Sequence, residues 1–215
     1  MTFKHSGRYS VPSDEDFEPQ SNNEVLKNNL GIKSKKDMEV LEKQELERTE
    51  LALLEIFNDE HRFTAADICN IHELWLGDVY PFAGKYRLVN MAKDDFLFAP
   101  SNRIDGLMAK LDSDLLAKYT PCHFTAIDEL ANAIGIIHVE LILIHPFREG
   151  NGRVARLLAD LMAMQAKKPP LNYASIDQTE NAEGFKRYIL AIHAGVSGNY
   201  EPIRELFKLL IEKSV

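Results

Sequence analysis

The residues best suited to chemistry lie in one contiguous run, residues 145–156, which reads HPFREGNGRVAR. Upstream of it, apolar residues recur at helical spacing up to His145, and Pro146 disfavours helical geometry at the residue before it, so a helix should end there. The same spacing restarts downstream, and predicts a second buried helix that begins near Arg153. Two glycines flank Asn151 between these helices. A loop of small residues that opens a helix presents free backbone N–H groups, which favours an anion and above all phosphate.

The charged side chains of this run each suit a separate task. Arg153 and Arg156 are three residues apart, so both can project from one helical face toward the same oxygens. Two cations at a helix N-terminus oppose the helix dipole, which indicates an anionic ligand from outside the chain. Glu149 is a hard oxygen ligand that suits Mg²⁺, and His145 can act as a general base near neutral pH. Together they indicate transfer of part of a nucleotide.

Each of these residues also has an ordinary structural interpretation. His145 could cap a helix C-terminus, Glu149 could be an exposed loop acid, and the two arginines could form surface salt bridges. Taken singly, each ordinary interpretation equals or exceeds the functional one. Taken together, they require one short loop to collect a base, a metal ligand, an anion site and two guanidinium groups by accident, so we favour the functional interpretation.

The run resembles the signature of the Fic family, His-Pro-Phe-x-Asp/Glu-Gly-Asn-Gly-Arg-x-x-Arg, and matches it at every defined position. The segments 25–32, 77–87 and 198–203 also resemble family segments, so the similarity covers about residues 24–210. The resemblance implies a mainly α fold, a single-domain helical bundle with a small β-hairpin flap over the active site. We expect residues 1–23 to be a flexible arm and residues 24–215 to form the Fic domain.

The flap is predicted at about residues 85–100. Residues 85–91 alternate loosely between apolar and polar, Asp94 and Asp95 supply a turn, and residues 96–99 return. An isolated hairpin is barely stable, so it must lean on the helices or on a partner. In the family, the flap docks a target protein by strand addition, and the resemblance places Lys93 and Asp94 over the nucleotide or the target.

The reaction implied by the resemblance is transfer of AMP from ATP to a Ser, Thr or Tyr hydroxyl of a target protein, with Mg²⁺ or Mn²⁺ held by Glu149. His145 would take the proton of the hydroxyl, and Arg153 and Arg156 would hold the β- and γ-phosphates. The implied nucleotide-binding residues are Glu149, Gly150, Asn151, Gly152, Arg153, Arg156, Lys93, Asp94 and Tyr188. For Tyr188, core packing explains the residue equally well.

Gly152 bears on the type of reaction. The Doc branch of the superfamily resembles this signature but carries lysine at the position of Gly152, and it transfers phosphate instead. A lysine there would obstruct the outer phosphates, so the glycine favours adenylylation. Two other readings remain: an enzyme with a different direction or donor (removal of AMP, or transfer of another nucleotide or of phosphate), and a nucleotide-binding interaction module without turnover. The intact His145 argues against the module.

Control of the activity is predicted to come from outside the chain. Residues 179–184 match the family's inhibitory motif, Ser/Thr-x-x-x-Glu-Gly/Asn, but they open a helix that the resemblance assigns to the catalytic core. We therefore expect a small antitoxin partner that acts on Arg156, with this chain as the toxin of a toxin–antitoxin pair.

Composition sets further bounds on the class of protein. A net charge of −8 argues against nucleic acid as a partner, since a nucleic-acid footprint would be basic. Two cysteines fit neither a disulfide framework nor a metal cluster, which favours a cytoplasmic protein. No window reaches membrane-spanning length, so no membrane contact is expected. Further helices are predicted at about 35–58, 64–76, 101–119, 180–194 and 201–213, with His72 as a core or surface histidine and not a ligand.

Overall fold

The computed structural model describes residues 4–6, 9–11 and 16–214, and the fold is mainly α, as predicted. The α-helices are α1 (Lys35–Ile56), α2 (Ala65–Leu76), α3 (Ile104–Lys110), α4 (Ala117–Tyr119), α5 (Ile127–Ile144), α6 (Asn151–Gln165), α7 (Ala182–Gly195) and α8 (Glu201–Lys213). Among the described helices, none is both long and apolar enough to cross a membrane.

The helix boundaries next to the signature run differ slightly from the prediction. Helix α5 ends at Ile144, because His145 already adopts a left-handed conformation with φ +52° ahead of the proline. Helix α6 begins at Asn151, two residues before the predicted start. Gly150 is the last residue of the loop and has a left-handed conformation, so the helix begins at the next residue. The loop between the helices is therefore only six residues long, residues 145–150.

The predicted helix over 101–119 is continuous but not uniformly α. A 3-10 turn at Ser101–Arg103 leads into α3, and a π-helical segment at Leu111–Leu116 separates α3 from α4. The Asp112 carboxylate in this segment accepts a hydrogen bond of 2.8 Å from the backbone N–H of Ala65, the first residue of α2. That N–H is one of the donors that a helix leaves unsatisfied at its start.

The sheet is larger than the sequence predicts, and its flap strands are shorter. Strands β1 (Lys4–Ser6), β2 (Tyr9–Val11), β3 (Ala92–Lys93) and β4 (Phe96–Leu97) form one antiparallel sheet in that order. The turn at Asp94 and Asp95 is confirmed. The strand predicted over 85–91 is wrong, because this segment is irregular and follows the hydrogen bonds of Arg87 described below.

The described part of the predicted N-terminal arm contains β1 and β2. Besides the two strands, residue Phe17 is buried and forms an isolated antiparallel bridge with Leu26. Residues 1–3, 7–8 and 12–15 lie outside the described part of the chain. The boundary between an arm and the domain at residue 24 stays a prediction.

The described residues form two compact units. The first comprises the described residues up to Ile56, together with Ala66–Met108 and Ile144–Gly150. The second comprises Phe57–Ala65, Ala109–Leu143 and the chain from Asn151 onward. Each has its own set of fully buried large side chains, among them Ile71, Trp75 and Phe147 in the first unit and Leu116, Ile134 and Phe207 in the second. The signature run passes from one unit to the other at the Gly150–Asn151 bond.

Candidate active site

The predicted base, His145, is held in an unusual backbone conformation. Its φ of +52° is rare for a residue other than glycine, and the surrounding contacts maintain it. Its backbone carbonyl accepts a hydrogen bond of 2.7 Å from Nε of Arg87. Its ring is stacked on Phe98, with centroids 3.7 Å apart and an angle of 16° between the planes. The imidazole orientation is therefore set by two contacts: the stacking of its ring on Phe98 of the flap, and the hydrogen bond from Arg87 to its backbone carbonyl.

Arg87 connects the base of the flap to the end of α5. Its Nη1 donates to the carbonyl of Val89 at 2.5 Å, and its Nη2 donates to the carbonyls of Ala99 at 2.6 Å and Ile144 at 3.3 Å. Only 4% of the residue is exposed. Burial, and next the positive charge of Arg148, lowers the pKa of Arg87 to about 10, which leaves the guanidinium charged at neutral pH. Because Ile144 and His145 lie 57 and 58 residues away from Arg87 in sequence, spacing alone does not reveal this role.

The signature loop rests on His72 of α2. The backbone N–H of Gly84 donates to Nδ1 of His72 at 2.8 Å, so the proton is on Nε2, which donates to the backbone carbonyl of Glu149 at 3.1 Å. The His72 ring also stacks on Phe147, with centroids 4.0 Å apart. His72 was predicted to be a core or a surface histidine, and it lies in the core, since it is fully buried. That it supports the signature loop was not foreseen.

Glu149 and Gly150 form the tight end of the loop. The Glu149 carboxylate accepts a hydrogen bond of 3.0 Å from the Gly150 backbone N–H, and the residue is 9% exposed. Gly150 has φ +82°, and a Cβ added to it would lie 2.6 Å from Cζ3 of Trp75. Nε1 of Trp75 donates to the backbone carbonyl of Glu42 at 2.9 Å, which fixes the indole. Only glycine satisfies both the backbone and the indole here.

The first turn of α6 carries the predicted anion site. Asn151 is 1% exposed, whereas Gly152 and Arg153 are partly exposed. A Cβ added to Gly152 would meet no atom within 4 Å, so the glycine leaves open space beside this turn. The N–H groups of a first helical turn have no partner within the helix, and the helix dipole adds positive potential there. The turn is therefore able to bind phosphate.

Arg156 lies one turn further along α6, against an aromatic ring. Its guanidinium is 5.0 Å from the ring centroid of Tyr173. The Tyr173 hydroxyl donates to the Asp160 carboxylate at 2.9 Å. Burial, and next the charge of Asp160, raises the pKa of Tyr173 well above its usual value, so the phenol stays neutral. A cation–π contact of this kind positions the guanidinium without neutralising it, and spacing along the chain does not indicate it.

Tyr188, which was predicted to line the nucleoside pocket, is 6% exposed, and its hydroxyl forms a hydrogen bond within the second unit. The Ala155 carbonyl accepts from Nδ1 of His138 at 3.3 Å, so Nε2 of that ring accepts from the Tyr188 hydroxyl at 2.9 Å. Burial, and next the charge of Arg156, lowers the pKa of His138 to about 3. These bonds account for Tyr188 by packing, and its contact with a nucleoside stays a prediction.

The predicted flap residues lie at the tip of the hairpin. Lys93 ends β3 and pairs with Phe96, and Asp94 occupies the first turn position with φ +51°. Left-handed turn positions favour Asp and Asn, which explains the residue type. Their place over a nucleotide or a target stays a prediction.

The Glu149 carboxylate is a suitable ligand for the magnesium ion that the signature implies. Among the described residues, no group of three or more His, Cys, Asp or Glu side chains could hold a metal ion. Mg²⁺ at a nucleotide, however, is commonly bound by one or two carboxylates together with phosphate oxygens and water. A single carboxylate beside a phosphate-binding helix start is consistent with that mode.

Comparison with known proteins identifies a family domain within the chain. Residues 62–163 match the model of the Fic/DOC family. The chain is 31% identical over 168 residues to "Protein adenylyltransferase VbhT" of Bartonella schoenbuchensis, which covers 74% of this chain and 32% of that protein. The chain spans between about a quarter and a third of the length of the first curated relatives that it matches.

Solved structures share the fold. The N-terminal FIC domain of Bep8 from Bartonella sp. 1-1C superposes with a TM-score of 0.73 at 21% identity, covering 96% of each chain. BepC from Bartonella tribocorum, solved with bound AMPPNP, has a TM-score of 0.68 at 20% identity, covering 86% of this chain and 91% of that one. Residues 62–163 of this chain therefore form a domain of the Fic/DOC family.

Replacing Gly150 with alanine is expected to destabilise the protein by about 2–4 kcal/mol, because the side chain meets Trp75 and the backbone stays in a left-handed conformation. Urea denaturation measures the loss. Gly152→Ala is the matched control, since its Cβ enters open space, and we expect it to stay within about 1 kcal/mol of the unsubstituted chain. Equal losses in the two variants would contradict the packing role of Gly150.

Replacing Arg87 with glutamine is expected to lower the free energy of unfolding by about 3 kcal/mol, because several buried carbonyls lose a charged donor. Hydrogen exchange should also accelerate in the flap around residues 96–99. Arg103→Gln removes an exposed arginine next to the flap and serves as the control. A flap that exchanges at the same rate in both variants would contradict the role of Arg87 in holding the base of the flap.

The buried His138 predicts a pH dependence of stability. Its pKa is depressed in the folded chain, so from about pH 6.5 down to about pH 3 the unfolded chain binds a proton that the folded chain does not. Stability due to this group is complete above that range and falls by up to about 1.4 kcal/mol per pH unit below it. His138→Met should flatten the curve of unfolding free energy against pH, whereas His123→Gln, at a partly exposed histidine, should not. Parallel curves for the original chain and His138→Met would refute the assignment.

Proposed function

We propose that this chain is a protein adenylyltransferase, which transfers AMP from ATP to a Ser, Thr or Tyr hydroxyl of a target protein. The observation that carries the proposal is the complete signature run, with His145 oriented by Arg87 and Phe98 and a phosphate-binding helix start six residues later. Curated relatives named protein adenylyltransferases, at 30–34% identity, support the same reaction.

The chemical step requires a base for the target hydroxyl. The hydroxyl oxygen bonds to the α-phosphorus, the bond from that phosphorus to the bridging oxygen of the β-phosphate breaks, and diphosphate leaves. His145 accepts the hydroxyl proton. Its ring is held against Phe98 before substrate arrives, so little ordering is needed when the target binds.

The donor phosphates are assigned to the start of α6. Because the signature run is contiguous, its loop leads directly from the base to the backbone N–H groups of Asn151 and Gly152, which stabilise charge that develops on the α-phosphate. Arg153 binds the β-phosphate, and Arg156 orients the γ-phosphate. The open space beside Gly152 supports this arrangement, since a longer side chain there would meet the outer phosphates.

A divalent cation completes the donor site. Glu149 would hold Mg²⁺ or Mn²⁺, which neutralises phosphate charge when bound. The Glu149 carboxylate is directed by the Gly150 N–H, which limits its freedom before the ion binds.

Target and inhibitor are assigned to different features. A target segment docks by strand addition on the flap, and the two free cysteines fit a reducing, cytoplasmic compartment. Inhibition comes from a separate antitoxin that supplies a carboxylate to Arg156. Within this chain, the Glu183 carboxylate of the literal inhibitory motif lies 3.8 Å from Arg187 on the exposed face of α7, which supports an external inhibitor.

Labelled ATP tests the activity. We expect lysate proteins incubated with the purified chain and Mg²⁺ to be labelled from α-labelled but not γ-labelled ATP, with labelling at least 100-fold lower for His145→Ala. Gly152→Lys should lower labelling from the α position as well, whereas Gly152→Ala should retain it.

The other outcomes identify the competing readings. Label from the γ position alone would assign phosphate transfer. Release of AMP from modified proteins without label uptake would assign the reverse reaction. Nucleotide binding with no transfer in any lysate would assign a binding module and overturn the proposal.

A further inference from the structure

The flap does not present both of its edges. In the four-stranded sheet, β3 lies between β4 and β2, and Ser10 of β2 is paired with Ala92 of β3. Strand β2 is in turn paired with β1 over three residues, from Lys4↔Val11 to Ser6↔Tyr9. Strands β1 and β2, residues 4–6 and 9–11 and together called the N-terminal hairpin, therefore cover the β3 edge of the flap with the chain's own backbone.

The next described residue after β2, Asp16, contacts the signature loop. The Asp16 carboxylate lies 3.2 Å from Nε of Arg148, the residue before Glu149. The Arg148 guanidinium is also 5.8 Å from the ring centroid of the buried Phe17. The Arg148 side chain is only 8% exposed, so water and salt screen this ion pair less than they screen a surface pair. The hairpin is thus held in register at the flap and anchored again five residues later.

A strand edge has one row of N–H and C=O groups, so it pairs with one strand at a time. We propose that the N-terminal hairpin and a target strand compete for the β3 edge, so that the hairpin is a cis-acting occupant which a target displaces. This inference deepens the proposed function and rests on docking by strand addition.

The pairing is suited to exchange. The contact of β2 with β3 has a single register pair, whereas the hairpin's own pairing has three. Short two-stranded contacts are marginally stable in water, so a longer target strand can replace this one at little cost. The anchor at Asp16 and Arg148 then keeps the displaced hairpin close to the flap, where it rebinds after the product leaves.

A disulfide between the paired positions tests the inference. Opposite residues of antiparallel strands have Cβ atoms about 4.5–5.5 Å apart, close to the range that a disulfide spans. Ser10→Cys with Ala92→Cys should therefore crosslink under mild oxidation, and the register-shifted pair Val11→Cys with Ala92→Cys is the control. Cys69→Ser is added to all variants, whereas Cys122 is fully buried, with a pKa raised by burial to about 12, and does not compete.

The crosslinked chain is expected to label lysate proteins from α-labelled ATP at least ten-fold less than the same chain after reduction, with equal ATP binding in both states. A chain that lacks residues 1–11 is the second variant, and it should label proteins more than the full chain does. A synthetic peptide of residues 2–13 should reduce that gain, and the peptide with Ser10→Pro should not, because proline removes a backbone donor.

Each contrary result has a separate meaning. Crosslinking that is no faster than in the register-shifted control would refute the pairing. A crosslink that leaves labelling unchanged would refute the competition. Absence of labelling from every variant would overturn the proposed function and the competition with it. The pairing would still be tested in that case, because the crosslink and the hydrogen exchange of residues 92–93 in the truncated chain show whether the hairpin covers the flap.

Discussion

The interaction on which the first unit depends is the buried guanidinium of Arg87. One side chain satisfies carbonyls from the last turn of α5, from His145 and from both sides of the flap base. A buried charge is costly unless its hydrogen bonds are made, so these partners are held at fixed positions relative to one another. The left-handed backbone of His145 is maintained within this network, and the orientation of its imidazole, the predicted base, follows from it.

The signature loop is built by neighbours that the signature does not contain. His72 binds the Glu149 carbonyl and stacks on Phe147, and Trp75 closes the space over Gly150. Both residues come from α2 and lie three positions apart on one face of that helix. A helix packed in this way provides a rigid support for a six-residue loop, as a site for precise chemistry requires.

The sheet joins the flap to the rest of the first unit. A flap with only two residues in each strand is too small to be stable by itself. It is stabilised at its base by Arg87, directly after β4 by the contact of Phe98 with His145, and at the β3 edge by β2. The conformation of the flap and the orientation of the His145 ring therefore depend on shared contacts.

The amino-acid sequence by itself determined the parts that depend on local order. Helical periodicity predicted the helices on both sides of the signature run and placed α8 at its observed bounds, and the paired acids at 94 and 95 predicted the flap turn. The residue types of 145–156 predicted a phosphate-binding loop with a base, because these properties require only spacing and local conformation.

Only the tertiary structure decided which distant residues serve that loop. Distant partners contact Arg87, His72, Tyr173 and the strands at 4–6 and 9–11, and no periodic pattern encodes such pairings. The strand expected over 85–91 failed for the same reason, since the bonds of one arginine to carbonyls replace a strand ladder there. Local propensity is a weak prior, and long-range hydrogen bonding and burial override it.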